Sequence, residues 1–310
     1  MTDLTPGTND SKAYGINNLG QVVGETQIPD FPGIPMRAFL YSNGTIATLG
    51  APSGKGSVAF GINDSTQIVG DYTTNFDFMI TNSFGTNTAF LYDHGVTNNL
   101  SAVGGLGTLR AGSAVAINNQ EQVTGYAINI SSTIRHAYLY SGGGMSDLGG
   151  LDSVRTNSEG LALNNLGQVV GIAGTNFNFN DGITNSSHAF LYTDGTMLDL
   201  NNLTTAPYTL ESATGINDYG QIVGYGVNGL RIQRAFLLTP MPTLAITTAG
   251  GNVTIAWATN GLNFALLASS SASGTNWSAM TNAPIVVNGT NQLTIAATGQ
   301  SEFFRLMLTQ

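Results

Sequence analysis

Hydrophobic positions in this chain come in short runs, broken every few residues by Gly, Asn, Asp or Ser, and the same runs return. GINNLGQVVG at 15–24 recurs as GINDSTQIVG at 61–70, AINNQEQVTG at 116–125, ALNNLGQVVG at 162–171 and GINDYGQIVG at 215–224. Its Asn falls at 17, 63, 118, 164 and 217, in steps of 46, 55, 46 and 53. A second phrase follows each: RAFLY at 37–41, TAFLY at 88–92, HAYLY at 136–140, HAFLY at 188–192 and RAFLL at 234–238. After the first four comes a third: TIATL at 45–49, VTNNL at 96–100, MSDL at 145–148 and TMLDL at 196–200.

Each copy predicts four strands, a to d. Strand a ends in the Ile-Asn or Leu-Asn pair, b is the Gln-Val-Val-Gly phrase, and c is the Ala-Phe-Leu-Tyr phrase. Asn43-Gly44 and Asp194-Gly195 signal tight hairpins before strand d. Gly20, Gly167 and Gly220 sit in the a–b turn where a positive φ is easiest, and Thr66 and Glu121 replace them in copies two and three. In strand a, Gly or Ala alternates with larger residues such as Tyr14, Ile16, Phe60 and Ile62. Sheets stacked face to face need small residues opposite large ones. Units of this length with four short strands fit propeller blades better than the coils of an open solenoid.

The expected architecture is therefore all-β: a five-bladed β-propeller over residues 1–240, followed by a small β-sandwich over 241–310. The repeats lie near 11–56, 57–112, 113–157, 158–211 and 212–240. The fifth lacks strand d, and Met1-Thr2-Asp3-Leu4 matches the Met-x-Asp-Leu of 145–148. Residues 1–4 are expected to supply that strand and close the ring, within a closing segment of 1–10. After Pro240 and Pro242 the rhythm changes. TLAITTAG, NVTIAWAT, NFALLASS, NQLTIAAT and EFFRLMLT read as short strands of an immunoglobulin- or fibronectin-like sandwich.

The repeated phrases, HAFLYTDGTMLDL at 188–200 above all, resemble the HAF-repeat family of bacterial extracellular proteins, named for its His-Ala-Phe triplet. The resemblance covers residues 1 to about 240 and implies a secreted or cell-surface location, with an upstream signal peptide expected to be missing from this chain. It implies no particular activity. Arg37, Thr88 and Arg234 replace the His in three copies. The C-terminal segment, with Trp277 and the run Phe303 to Leu306, resembles a module found at the end of secreted bacterial proteins.

Composition narrows the function. Charged residues make up 9% of the chain, and the net charge is -9 with nine Lys and Arg. Clustered cations for nucleic acid or for a membrane surface are absent from the sequence. No 18-residue apolar run is present to span a bilayer. There are no cysteines, so disulfides and thiolate chemistry are excluded. GAPSGKG at 50–56 has the wrong spacing for a phosphate loop. His94 falls in a turn, and His136 and His188 occupy one repeat position in separate copies, where no zinc ligand set is expected to converge. Asp147 and Asp199 are likewise repeat-related.

No enzyme, cofactor or metal is therefore expected, and a monomer is. Two sets of residues are candidates for binding. The b–c connections TNFDFMITNS at 74–83 and TNFNFNDGITNS at 175–186 place Phe76, Phe78, Phe177 and Phe179 beside Asn75 and Asn176, aromatic faces and amides that suit sugars. The turn asparagines Asn17, Asn63, Asn118, Asn164 and Asn217 are expected to cap their own turns. Alternatively, they form a polar ring near the central channel that binds a ligand. The expected function is an extracellular binding module for a polysaccharide or a surface protein, acting through the long b–c loops. A structural spacer without a ligand is the alternative, and a propeller glycosidase with two facing carboxylates is a third reading.

Overall fold

The computed structural model describes residues 4, 10–27, 36–49, 56–73, 87–106, 109–128, 134–175, 187–259, 263–273, 276–298 and 301–309. Among the described residues the protein is all-β apart from two short 3-10 turns. It divides into two compact units, Met1–Leu238 and Thr239–Gln310.

The first unit contains five antiparallel meanders among the described residues. Sheet 1 comprises Ser11–Ile16, Val22–Thr26, Arg37–Ser42 and Thr45–Thr48. Sheet 2 comprises Gly56–Ile62, Ile68–Thr73, Thr88–Asp93 and Val96–Asn99. Sheet 3 comprises Arg110–Ile117, Val123–Ile128, Arg135–Ser141 and Gly144–Gly149. Sheet 4 comprises Asn157–Leu163, Val169–Gly174, His188–Thr193 and Thr196–Asp199. Sheet 5 comprises Thr209–Ile216, Ile222–Val227 and Gln233–Leu238, three strands among the described residues. The strand expected from residues 1–4 falls outside them, apart from Leu4, which is a bend.

The sheets stack face to face in chain order, strand a of each lying over strands b and c of the one before. Val23 and Ala38 of sheet 1 share a core with Ile62, Ile68 and Phe90 of sheet 2. Val170 and Ala189 of sheet 4 share another with Leu210, Ile222 and Phe236 of sheet 5. The Ala of the Ala-Phe-Leu phrase thus faces the next sheet and the Phe faces the previous one. This is the small-against-large arrangement that the alternation predicts.

Strand a departs from strict alternation. The register shifts between Ala13 and Gly15, Ala59 and Gly61, Ala114 and Ala116, Gly160 and Ala162, and Ala213 and Gly215. A bulge at Tyr14, Phe60, Val115, Leu161 or Thr214 therefore recurs once per sheet. It bends strand a over the Gly that ends each Gln-x-Val-Gly phrase.

The a–b turns share one geometry. Thr66 and Glu121 hold the same left-handed conformation (φ 62° and 59°) that Gly20, Gly167 and Gly220 adopt. Copies two and three keep the turn and carry its strain. The hairpins at Asn43-Gly44, His94-Gly95, Gly142-Gly143 and Asp194-Gly195 have two successive positive φ values, as type I′ turns require.

In the second unit, a four-stranded sheet (Ala245–Ala249, Asn252–Ala258, Thr290–Ala296, Ile285–Val287) and a three-stranded one (Ser278–Ala279, Phe264–Ser269, Phe303–Leu308) share a core. Ile255, Trp257 and Leu293 come from the first sheet and Leu266 from the second. Trp277 lies outside that core, stacked on the Arg305 guanidinium at 4.4 Å.

Candidate functional site

The five turn asparagines are brought together, and the amides of the first four are consumed in doing it. In sheet 2, Asn63 Oδ1 accepts from the backbone N–H groups of Ser65 and Gln67, closing the turn. Its Nδ2 donates to Gln67 Oε1 at 2.8 Å and to the carbonyl of Asn118 in the next sheet at 3.0 Å. Asn17, Asn118 and Asn164 repeat both patterns, bonding to the carbonyls of Asn63, Asn164 and Asn217. The residue after each Asn adds a second rail: Asn18 to Asp64, Asp64 to Asn119, Asn119 to Asn165 and Asn165 to Asp218, with backbone donors 2.8–2.9 Å from side-chain oxygens. The asparagines are a ladder that locks sheet to sheet, and within the four inner joints no amide is left to a ligand.

The histidines have a structural role that extends across strands. His136 Nδ1 lies 2.9 Å from Asp147, and His188 Nδ1 lies 2.6 Å from Asp199, each linking strand c to strand d. His and Asp stand eleven residues apart in both copies, and in sheet 2 the same two positions are Thr88 and Asn99. Asp199 and Asn99 also cap the 3-10 turns that follow, accepting from Asn201 and Ser101. Burial pushes Asp199 up, but the bonds from His188 and Asn201 outweigh it and its carboxyl stays below the ordinary value. Replacing the pair by its sheet-2 counterpart, His188→Thr with Asp199→Asn, should therefore cost less than the two single changes added together. Denaturant melts of the cycle should show a coupling of about 1 kcal/mol, and additive singles would refute the pairing.

Sheet 4 carries the pair into a wider network. Arg155 donates to Asp152 at 2.6 Å and lies 2.8 Å from His188 Nε2. Asp199 holds Asn201, whose amide exchanges two bonds with the backbone of Leu210 at the start of sheet 5. Asn201 then lines a cavity of about 550 Å³ with Tyr208, Thr209, Glu211, Val227, Asn228 and Arg231 among its walls. These come from the d–a connection before sheet 5, from strands a and b of that sheet, and from its b–c turn, residues 228–232.

Two features mark this cavity. Glu211 is 2% exposed, and its Oε2 is buried with no hydrogen-bond partner among the described residues. Desolvation raises its carboxyl above the usual range, against the pull of Arg231 and His188. Arg231 sits at φ 59° in a turn built like the a–b turns: Asn228 Oδ1 accepts from Leu230 and Ile232, and Arg231 takes the place that Gly20 or Gly167 fills elsewhere. An Arg held where Gly would relax the backbone is strain kept at a cavity wall, about 1–2 kcal/mol.

The other buried acids, and the half-buried Glu159, are satisfied. Glu25 accepts from Tyr14 at 2.8 Å and pairs with Lys12 at 3.3 Å. Glu159 pairs with Arg135, whose guanidinium covers the Tyr126 ring at 4.1 Å. Asp71 accepts from the Ala114 N–H of sheet 3 at 3.1 Å. Among the described residues, no group of three His, Cys, Asp or Glu could hold a metal, and no helix is long and apolar enough to cross a membrane. Phe76, Phe78, Phe177, Phe179 and Asn176 lie outside the described residues, as does Asn75.

No protein-family profile matches the chain, and no curated protein does. Among solved structures it is similar to the β-propeller domain of the Trilobed protease from Pyrococcus furiosus, at 12% identity and a TM-score of 0.46. The likeness covers 74% of this chain and 65% of that one, so the chain spans a little under two thirds of its length.

Proposed function

We propose that the protein is a non-catalytic binding module, built on a β-propeller whose blades are the five repeats, that takes a neutral polyhydroxylated ligand such as a glycan. The observation that carries this reading is the cavity beside sheet 5, which Glu211, a buried acid with one oxygen left without a partner among the described residues, lines together with Arg231, Asn201, Asn228 and Tyr208. A sugar hydroxyl can donate to the carboxylate and accept from a guanidinium or amide, and an aromatic ring offers its face to the pyranose. The cavity lies on the side of the b–c turns and d–a connections, where loop variation on a rigid frame places recognition.

Satisfaction of Glu25 and Asp71 by their own neighbours leaves Glu211 as the one acid with an unpartnered oxygen among the described buried acids, where glycosidase chemistry uses two carboxylates. That supports binding over hydrolysis. An extracellular or cell-surface setting accords with the chain's sparse charge and with the repeat phrases. The second unit then reads as an immunoglobulin-like sandwich appended to the propeller. The ladder of asparagines favours the rival reading of a plain spacer, and one comparison separates them. An array of neutral oligosaccharides is screened with the parent protein and with Arg231→Gly. The variant relaxes the turn, so it should melt no lower than the parent. It should lose at least ten-fold in affinity for any glycan the parent binds, and Glu211→Gln should do the same. Retention of parental binding by both variants removes the cavity from the reading, and silence of the parent on the array favours the spacer.

A further inference from the structure

The stack of sheets has two unequal ends. Between consecutive sheets the second Val of strand b and the Ala of strand c are sealed: Val23, Val69, Val170, Ala38, Ala89, Ala137 and Ala189 are each 0% exposed. On sheet 5 the same positions are open. Val223 is 46% exposed and Ala235 is exposed as well, and beside them Leu237 is 60% exposed. Strand a of sheet 1 does not pack over sheet 5 as strand a of every later sheet packs over its predecessor. Its Ile16 is 70% exposed and Tyr14 45%, while Phe39 farther along that face is covered.

The polar rails stop at the same place. Asn217 closes its own turn and bonds Gln221, yet it is exposed, and among the described residues its Nδ2 has no carbonyl from a following sheet. Asp218 accepts from Asn165, and among the same residues its backbone N–H reaches no following side chain as the N–H of Asp64 reaches Asn119. At the other end, the Asn17 carbonyl accepts only from Gly20 among the described bonds, where the Asn63 carbonyl accepts from both Thr66 and Asn17. Sheet 5 thus offers the donor half of the joint and sheet 1 the acceptor half. The apolar halves match too, an open Val-Ala-Leu face against Ile16 at the turn end.

We propose that the open face of sheet 5 is an interface for sheet 1 of a second copy of this chain, reproducing between molecules the turn end of the joint that the chain makes four times within itself. Such a contact is head-to-tail, so it propagates until rotation closes a ring. It is independent of the ligand reading, because none of Val223, Ala235 and Leu237 lines the cavity.

The test uses the full chain. Sedimentation velocity up to about 100 µM, where weak joints register, should show mass rising with concentration. Val223→Glu with Leu237→Glu, both at exposed positions, should hold the protein as a monomer at every concentration while its circular dichroism is unchanged. Because the chain has no cysteine, Asn18→Cys with Asp218→Cys gives a second measurement, which should yield covalent dimers and larger species on mild oxidation. A parent that stays monomeric throughout overturns the proposal. So does a disulfide between the two introduced thiols that forms only within single chains, which would mean that the array closes on itself.

Discussion

Gly171→Ala should lower the melting temperature by about 10 °C, whereas Gly104→Ala should leave it within about 2 °C. Gly171 ends the fourth Gln-x-Val-Gly phrase, opposite the strand-a bulge. A Cβ built there would run into the carbonyl oxygen of Glu159 and press the Phe190 ring. The obstacle is backbone held to strand b by the ladder, so it cannot turn away as a flexible side chain could. Overpacking a core costs about 1–3 kcal/mol when side chains can shift; here the upper end applies. Gly24, Gly70, Gly125 and Gly224 face the carbonyls of Lys12, Val58, Ser113 and Ser212 in the same way. The recurrence shows that this glycine is required by the bulge, whichever copy it stands in. Gly104 has open space around its missing Cβ and no positive φ, which makes it the matched control. Equal melting curves for the two variants would mean that strand a yields, and that the bulge is not a fixed element of the repeat.

Much of this was legible in the chain. The strands, their order within each unit and the tight hairpins at Asn43-Gly44 and Asp194-Gly195 follow from period-two alternation and turn chemistry, because both are local. The capping role of the asparagines was legible for the same reason. Their second bond, to the carbonyl of the next sheet, was not, since it depends on how far apart two sheets sit. The bulges escaped because an extra residue in strand a leaves the hydrophobic pattern almost intact; the invariable Gly opposite was the available signal. The pairing of His with Asp was readable in principle, since Thr88 and Asn99 change together where His136 and Asp147 stand in the next copy.

The cavity was legible only in fragments. Asn228 to Ile232 has the spacing of the a–b turns, so an Arg in the glycine position could have been noticed. The setting of Glu211 depends on how the d–a connection and the b–c turn come together at sheet 5. The two ends of the stack are the clearest limit. Val223 and Val170 stand in nearly identical phrases, and nothing local distinguishes a sealed valine from an open one. Only the presence or absence of a following sheet does.

Stability should fall as the pH rises from about 4 to 7, and Asp71→Asn should abolish most of that fall. Asp71 lies fully buried between sheets 2 and 3, and desolvation pushes its carboxyl up to about 7, against the bonds it accepts from Ser113, Ala114 and Asn87. The folded state therefore holds the proton more tightly than the unfolded chain, where the carboxyl titrates near 3.8. The stabilisation is complete below that value and is lost as the pH climbs to 7; beyond that the charged, desolvated carboxylate weighs on the fold by a constant amount. At about 1.4 kcal/mol per pKa unit, the difference across the window is on the order of 4 kcal/mol. Glu211 is raised for the same reason and adds to the slope. Asp64, Asp147 and Asp199 are held low, so their contribution has the opposite sign and is lost only in more acidic solution. An Asn at position 71 keeps the carbonyl that accepts the Ala114 N–H and never ionises. Thermal melts of parent and variant should nearly coincide at pH 4, separate steadily, and differ by about 10 °C at pH 8 with the variant higher. Curves that run parallel from pH 4 to pH 8 would show that Asp71 enters the folded protein already ionised, with its three donors offsetting the burial.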